Sequence, residues 1–142
     1  MTAYADTSFL VSLYVLDANS PGAAARIARA RLPLLLTSLG EVELTNALYL
    51  RTFRRELPVY QVKAAHGMFR KDIADGVFQM KPLPAGVFER AKRMARLRTP
   101  QVGARTLDIL HVASAVSLGV SDFFTFDKNQ AKLARAEGLT VP

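Results

Sequence analysis

Short apolar runs alternate with helical segments along the chain, and this alternation constrains the fold more than any other feature. The clearest run is Leu32–Thr37, which follows an alanine-rich helical segment that begins at Ser20-Pro21. Buried strands of a parallel sheet are apolar in this way, because helices cover both of their faces. Strands separated by helices pair in parallel through right-handed crossovers. The sequence therefore predicts an α/β fold, a three-layer α/β/α sandwich with a central parallel sheet, in a single domain over residues 1–142.

The same pattern predicts the remaining elements. Ser38, followed three residues later by Glu41, is typical of a capping box at the start of a helix. Pro100 and Gly103 predict a loop at Thr99–Ala104, between two helices. The other strands are predicted at Ala3–Ala5, Val77–Lys81 and Asp122–Phe126, with a short last strand at Leu139–Val141.

Composition excludes several classes of protein. The chain has no cysteine, so it has neither a disulfide framework nor a thiolate metal site. Its first residues lack the basic segment of a signal peptide, and no uncharged run approaches the ~20 residues of a membrane span. We therefore expect a cytoplasmic protein without a membrane segment.

Basic residues are unevenly distributed along the chain. The net charge is +7, and 13 of the 19 Lys and Arg residues lie between Leu50 and Arg105, where there are only four acids. An uneven basic surface favours an anionic partner such as nucleic acid. A pair of solvated helices would explain the same charge without any partner.

Two aspartates follow predicted strands directly. Asp6 comes after the first strand, and Asp127 comes after Phe123–Phe126. In open parallel sheets, sites form at the carboxyl ends of the strands. Helix capping explains each aspartate equally well, because Asp is a good N-cap residue and Gln130 lies three residues after Asp127.

Two further carboxylates lie on helix faces that are otherwise apolar. Glu43 shares a face with Leu39 and Ala47, and Asp108 lies in a helix that is apolar on most sides. Burying an unpaired carboxylate costs several kcal/mol, so each of these acids needs a cation or hydrogen bonds. A salt bridge to one of the many arginines is the alternative explanation.

Together the four acids predict a metal site. Two carboxylates within ~5 Å of each other repel by ~3 kcal/mol at an effective dielectric constant of 20, so their convergence requires a cation. Oxygen ligands favour Mg²⁺ or Mn²⁺ over zinc. Such ions hold a phosphodiester and activate a water molecule. Acidic residues beside basic helices therefore suggest a metal-dependent nuclease.

The motifs that contain these acids resemble those of a known family. They are, in order, Asp6–Ser8, Thr37-Ser38 with Glu43–Leu48, Thr106–Ala115 and Thr125–Asp127. Their order and spacing, over nearly the whole chain, resemble the PIN-domain ribonucleases, and most closely the VapC-type toxins of toxin–antitoxin pairs.

The resemblance implies an endoribonuclease that depends on Mg²⁺, or on Mn²⁺ in its place. It implies an RNA substrate, a homodimer, and a cognate antitoxin whose tail covers the acidic pocket. The alternative is a PIN-like RNA-binding module that has lost catalysis. The implied catalytic and metal-binding residues are Asp6, Glu43, Asp108 and Asp127, with supporting hydroxyls from Thr7 or Ser8 and from Thr125.

Several other residues remain open. Asp122 is a fifth acid, but it lies at the start of its strand, ~13 Å from the end of that strand at Phe126 at ~3.3 Å per residue, and so at the wrong end for a site with Asp127. If the register of the helix that begins at Ser38 differs from the predicted one, Glu41 takes the place of Glu43 among the site acids. His111, three residues after Asp108, is either a general base or a structural histidine. Arg98 and Arg105 flank the loop before the Asp108 helix, where they would contact RNA.

Overall fold

The computed structural model describes residues 2–142, and these contain a four-stranded sheet in which all neighbouring strands are parallel. The order of the strands is β3-β2-β1-β4. The chain therefore builds the sheet outwards from β1 to β3 and then returns to the other side of β1. The strands are β1 (Ala3–Ala5), β2 (Leu34–Thr37), β3 (Phe78–Lys81) and β4 (Asp122–Phe124).

Helices cover both faces of this sheet and confirm the predicted three-layer α/β/α arrangement. The first four contribute to one apolar core and the last three to the other. No helix in residues 2–142 is long and apolar enough to cross a membrane. The helices are α1 (Thr7–Tyr14), α2 (Ser20–Arg29), α3 (Ser38–Phe53), α4 (Val59–Ala74), α5 (Val87–Val102), α6 (Thr106–Ser117) and α7 (Lys128–Ala136).

Alternating side chains of the strands divide between the two cores. In β1, Ala3 and Ala5 pack with the helices α1 to α4, whereas Tyr4 packs with α5 to α7. Leu35 of β2 likewise faces the second core, and its neighbours in sequence face the first. Successive side chains of a strand point to opposite faces, so a strand covered on both sides must be apolar throughout.

Two predicted boundaries are wrong. The loop predicted at Thr99–Ala104 is helical as far as Val102. Pro100 lies in the last turn of α5, where its missing N–H removes a single hydrogen bond, and the helix ends at Gly103, whose φ of 67° is left-handed. The strand predicted to reach Phe126 ends at Phe124.

The predicted capping box at Ser38 is also wrong. Ser38 is the first helical residue of α3, and Thr37, the last residue of β2, is the N-cap. The Thr37 hydroxyl makes no capping bond, because it lies 3.2 Å from the hydroxyl of Tyr4 inside the protein. The last predicted strand, Leu139–Val141, is reduced to a single bridge between Thr140 and Asp122.

The strand order determines where a site can form. The order reverses at β1, and clefts in open α/β sheets form outside the carboxyl ends of the strands at such a reversal. Asp6 directly follows β1, Thr125 directly follows β4, and Thr37 ends β2. The fold thus brings segments that are far apart in sequence to one edge of the sheet.

Candidate active site

Three of the four predicted acids line a single cleft at this edge. Glu43 of α3, Asp108 of α6 and Asp127, the N-cap of α7, surround a volume of about 190 Å³. Asp6 is only 1% exposed and is not among the lining residues. The remaining lining residues are Thr7, Ser8, Arg105, His111 and Gln130.

Asp6 is held by donors on three sides. Its Oδ1 accepts hydrogen bonds from the backbone N–H of Phe9 at 2.9 Å and from the Ser8 hydroxyl at 2.7 Å. Its Oδ2 accepts a short hydrogen bond from the hydroxyl of Thr125. The Thr125 oxygen in turn accepts the backbone N–H of Asp127 at 3.0 Å. Asp6 therefore caps α1 and connects the ends of β1 and β4.

Burial makes ionisation of Asp6 costly. It raises the pKa of Asp6 from 3.8 to about 6, although the hydrogen bonds from Thr125, Phe9 and Ser8 act in the opposite direction. A carboxylate with this pKa is ionised at neutral pH, but only against a desolvation cost. A cation nearby would offset that cost.

Glu43 lies at the end of a chain of buried hydrogen bonds. The Tyr4 hydroxyl lies 2.7 Å from His111 Nδ1, and His111 Nε2 makes a short contact with Glu43 Oε1. Burial raises the pKa of Tyr4, which keeps its hydroxyl protonated. If Thr37 donates to Tyr4 and Tyr4 donates to Nδ1, the imidazole carries its proton on Nε2 and donates it to Glu43.

These hydrogen bonds fix the position of Glu43 and keep its carboxylate ionised. Burial alone would raise the pKa of Glu43, but the hydrogen bond from His111, with a second from the Thr7 hydroxyl at 3.0 Å, lowers it below its ordinary value. His111 is 2% exposed, so its position is set by the core. The carboxylate of Glu43 is thereby held ionised at the edge of the cleft.

Asp108 and Asp127 converge on one guanidinium. Arg105 Nε lies 3.4 Å from Asp108 Oδ2, and Arg105 Nη2 lies 3.7 Å from Asp127 Oδ2. The side chain of Arg105 is 79% exposed, so little packing holds it there. The Arg105 guanidinium thus bridges these two carboxylates, and it belongs to a largely exposed side chain.

The donor set fits a hard divalent cation in its chemistry. The lining acids offer carboxylate oxygens, as Mg²⁺ and Mn²⁺ prefer, and the bridged pair shows that a positive charge is favoured there. Within residues 2–142, no three acidic or histidine side chains are close enough together to ligate one ion. The Arg105 guanidinium lies between two of these carboxylates, those of Asp108 and Asp127.

Other predicted residues lie elsewhere. Asp122 is at the amino end of β4, away from the acidic cleft, and Glu41 is exposed on the outer side of α3. Arg98 pairs with Glu137 at 2.8 Å and donates to the backbone oxygen of Ala136 at 2.9 Å. These bonds tie the end of α5 to the end of α7, and Arg98 does not line the cleft.

The sequence pattern predicted no part in the site for Tyr4 or Gln130, and it placed Thr37 in a motif without a role. Tyr4 precedes Asp6 by two residues, and alternate residues of a strand point to the same face of the sheet. This spacing is the sequence signal that points to Tyr4 as a neighbour of the site. Gln130 lines the cleft and donates to the backbone oxygen of Asp108 at 3.4 Å. Its distance of three residues from Asp127 indicated a capping box but no position in a cleft.

Comparison with solved structures finds the same fold in two bacterial proteins. The first is the sarcin–ricin-loop-cleaving toxin VapC20 of Mycobacterium tuberculosis, with a TM-score of 0.71, 18% identity, and 97% of each chain covered. The second is FitAcB of Neisseria gonorrhoeae, with a TM-score of 0.73, 16% identity, and 99% of this chain and 96% of the other covered.

No protein with a curated description matches the sequence significantly. The family model described as "PIN domain" matches residues 3–136, which is nearly the entire chain and includes all four predicted acids. The chain therefore belongs to the PIN-domain family.

Proposed function

We propose that this protein is a metal-dependent endoribonuclease and the toxin of a toxin–antitoxin pair. The observation that carries the proposal is the cleft at the reversal point of the sheet. There Glu43, Asp108 and Asp127 line one cleft with Thr7 and Ser8, which directly follow the buried Asp6, and the Arg105 guanidinium bridges Asp108 and Asp127. Membership of the PIN-domain family supports nuclease chemistry at this place.

Each residue has a distinct part in this proposal. Glu43, Asp108 and Asp127 would hold the ion directly or through water, and the buried Asp6 would add its negative charge to the site. A bound Mg²⁺ or Mn²⁺ would supply Lewis acidity and an activated water. The hydroxyls of Ser8 and Thr125 keep Asp6 in place, and Thr7 and His111 keep Glu43 in place. Arg105, once released, would contact a phosphate of the substrate.

Removing the metal is the first test. Purified protein is incubated with labelled RNA in Mg²⁺, in Mn²⁺ and in EDTA. Because VapC20 is described as cleaving the sarcin–ricin loop, an RNA hairpin of that sequence and total cellular RNA are suitable substrates. We expect cleavage with either ion and none in EDTA, with activity restored when the ion is returned. Cleavage that persists in EDTA would contradict the proposal, and RNA binding without cleavage or metal binding would favour the inactive RNA-binding module.

The toxin role, the antitoxin and the homodimer rest on the family resemblance. One surface feature supports a protein partner: Val42, Tyr49 and Phe53 are exposed along one stripe of α3. Exposed apolar stripes of this kind mark protein interaction sites. A short adjacent gene whose product binds the protein and blocks RNA cleavage would support the toxin role.

The hydrogen bond from His111 to Glu43 predicts an effect on metal affinity. We expect His111→Leu to weaken Mn²⁺ binding by roughly 10- to 100-fold, as is usual when the partner of a metal-binding side chain is lost. His111→Gln keeps an N–H donor near the position of Nε2 and should bind Mn²⁺ within a few-fold of the original protein. Calorimetric titration measures both, with circular dichroism to verify folding. Equal affinities in the two variants would show that His111 serves packing alone.

A further inference from the structure

Two adjoining clefts lie beside β4 and are lined in part by residues of α2. One, of about 350 Å³, contains Thr125 and Asp127 and therefore adjoins the acidic cleft. The other, of about 520 Å³, contains Ala3 and Asp122 at the amino ends of the strands. Arg26 and Pro142 line both clefts. The two clefts together form one path from the acidic cleft along β4, and this path is here called the β4 groove.

The β4 groove collects basic residues from opposite ends of the sequence. The chain has 19 Lys and Arg residues, of which 13 lie between Leu50 and Arg105. All six of the others line the β4 groove, although α2 and α7 are about a hundred residues apart. These six are Arg26, Arg29, Arg31, Lys128, Lys132 and Arg135.

None of these six cations is neutralised by an acidic side chain within residues 2–142. Arg26 is the most firmly held, because its guanidinium lies over the ring of Phe126, 5.1 Å from the centroid. One of its nitrogens is buried without a hydrogen-bond partner. A fixed, incompletely satisfied guanidinium between five exposed cations favours a ligand with several negative charges.

The chemistry of the groove favours RNA over an acidic polypeptide. Protein interfaces depend on exposed apolar and aromatic anchors, and the exposed large apolar side chains, such as Leu16, Phe53, Tyr60 and Phe88, lie outside the groove. A phosphate backbone needs only cations at intervals. The groove also opens at Asp127, beside the cleft where a phosphodiester would be cleaved.

We infer that the β4 groove binds the phosphate backbone of single-stranded RNA that leads away from the cleavage site. The inference rests on the proposed nuclease function and specifies its substrate path. It assigns RNA binding to α2 and α7, whereas the sequence placed the basic surface in the segment Leu50–Arg105. The exposed cations of the groove would then contribute to substrate affinity and have little effect on the chemical step.

The test compares two double variants with the same change in charge. Arg29→Gln with Lys132→Gln removes one exposed cation from each cleft of the groove. Lys63→Gln with Arg70→Gln removes two exposed, unpaired cations from α4. Binding of a fluorescein-labelled single-stranded RNA is measured by anisotropy in EDTA, across a range of salt concentrations, so that cleavage does not interfere. Thermal melts verify that both variants are folded.

We expect the groove variant to bind RNA about 10-fold more weakly, with a salt dependence reduced by roughly one charge per lost contact. In Mg²⁺ its KM should rise by a similar factor while kcat stays within about twofold. The α4 variant should match the original protein in all four quantities. An equal loss of RNA affinity in both variants, or no loss of RNA affinity in the groove variant, would overturn the inference.

Two further outcomes separate this inference from the proposed function. RNA cleavage that is normal in the groove variant would refute the groove and leave the nuclease intact. An original protein that neither binds nor cleaves RNA would refute both. If a polyglutamate peptide of equal charge displaces the RNA at the same concentration, the groove is a site for acidic polypeptides, and the inference fails.

Discussion

Replacing Asp108 by asparagine is expected to lower RNA cleavage by about a thousandfold or more while the protein stays folded. Asp108 is 7% exposed and accepts hydrogen bonds from the backbone N–H of Arg105 at 3.3 Å and from its guanidinium at 3.4 Å. Asparagine keeps the volume and one acceptor oxygen, but it removes the charge that would hold the ion.

The matched control is Asp75→Asn on α4. Asp75, the C-cap of α4, forms a surface ion pair with Lys71 at 2.5 Å, and exposed pairs of this kind contribute little to stability. This variant should cleave RNA at the original rate in a discontinuous gel assay. An Asp108→Asn protein with more than a tenth of the original activity would remove Asp108 from the site.

Replacing Asp6 by asparagine is expected to stabilise the metal-free protein at neutral pH, by at most ~3 kcal/mol. The pKa of Asp6 is raised by burial from 3.8 to about 6. That difference corresponds to ~3 kcal/mol of destabilisation once the group is ionised, at 1.36 kcal/mol for each pH unit. Asparagine is as good an N-cap as aspartate, so the bond from Phe9 survives and the buried charge disappears.

The sign of the pH dependence follows from the direction of this pKa shift. Between pH 3.8 and about 6 the folded state binds more protons at Asp6 than the unfolded state. The contribution of Asp6 to stability therefore falls as pH rises through this window, and it is lowest above pH 6. The advantage of Asp6→Asn should be absent below pH 4 and complete at pH 7.

Urea unfolding in EDTA at pH 4 and pH 7 measures this difference. Asp127→Asn is a useful control, because Asp127 is also an N-cap, bonded to the N–H of Gln130, but its side chain is 30% exposed. We expect a smaller change in the free energy of unfolding for this variant. Saturating Mg²⁺ should stabilise the original protein more than Asp6→Asn. A variant less stable than the original at pH 7 without metal would mean that the lost hydrogen bonds outweigh the buried charge.

The fold was largely predictable because its causes are local and repetitive. The apolar run before Thr37 requires cover on both faces, and the alternation with helices then dictates parallel pairing. The errors lie where one residue has two possible roles. Pro100 is read as a helix breaker, yet in the last turn of α5 it costs a single bond, and Gly103 ends the helix instead.

The acids of the candidate site were visible in the sequence, but the contacts that support them were not. Asp6 and Asp127 follow strands, and Glu43 and Asp108 interrupt apolar helix faces, so each is visible in the sequence. The link from Tyr4 through His111 to Glu43 joins residues up to 107 positions apart. No local pattern encodes such a contact, because it depends on how β1, α3 and α6 pack together.

The distribution of the basic residues on the folded surface was also not predictable from local sequence. Counting charges along the chain directs attention to Leu50–Arg105, where Arg98 is in fact paired with Glu137. The six cations outside that segment escape notice because they are separated in sequence, and only the return of the chain to β4 brings α2 and α7 together. The bridging position of Arg105 between Asp108 and Asp127 likewise depends on the packing of α6 beside α7.

The most direct test of the proposed metal site is a crystal structure of the protein with Mn²⁺, using the anomalous scattering of the ion to locate it. We expect an anomalous peak within about 2.5 Å of carboxylate oxygens of Asp108 and of at least one other acid of the cleft, with the Arg105 guanidinium displaced. The proposed metal site would be contradicted if the protein cleaves RNA but the map shows no peak in the cleft. In that case Arg105 would still bridge Asp108 and Asp127.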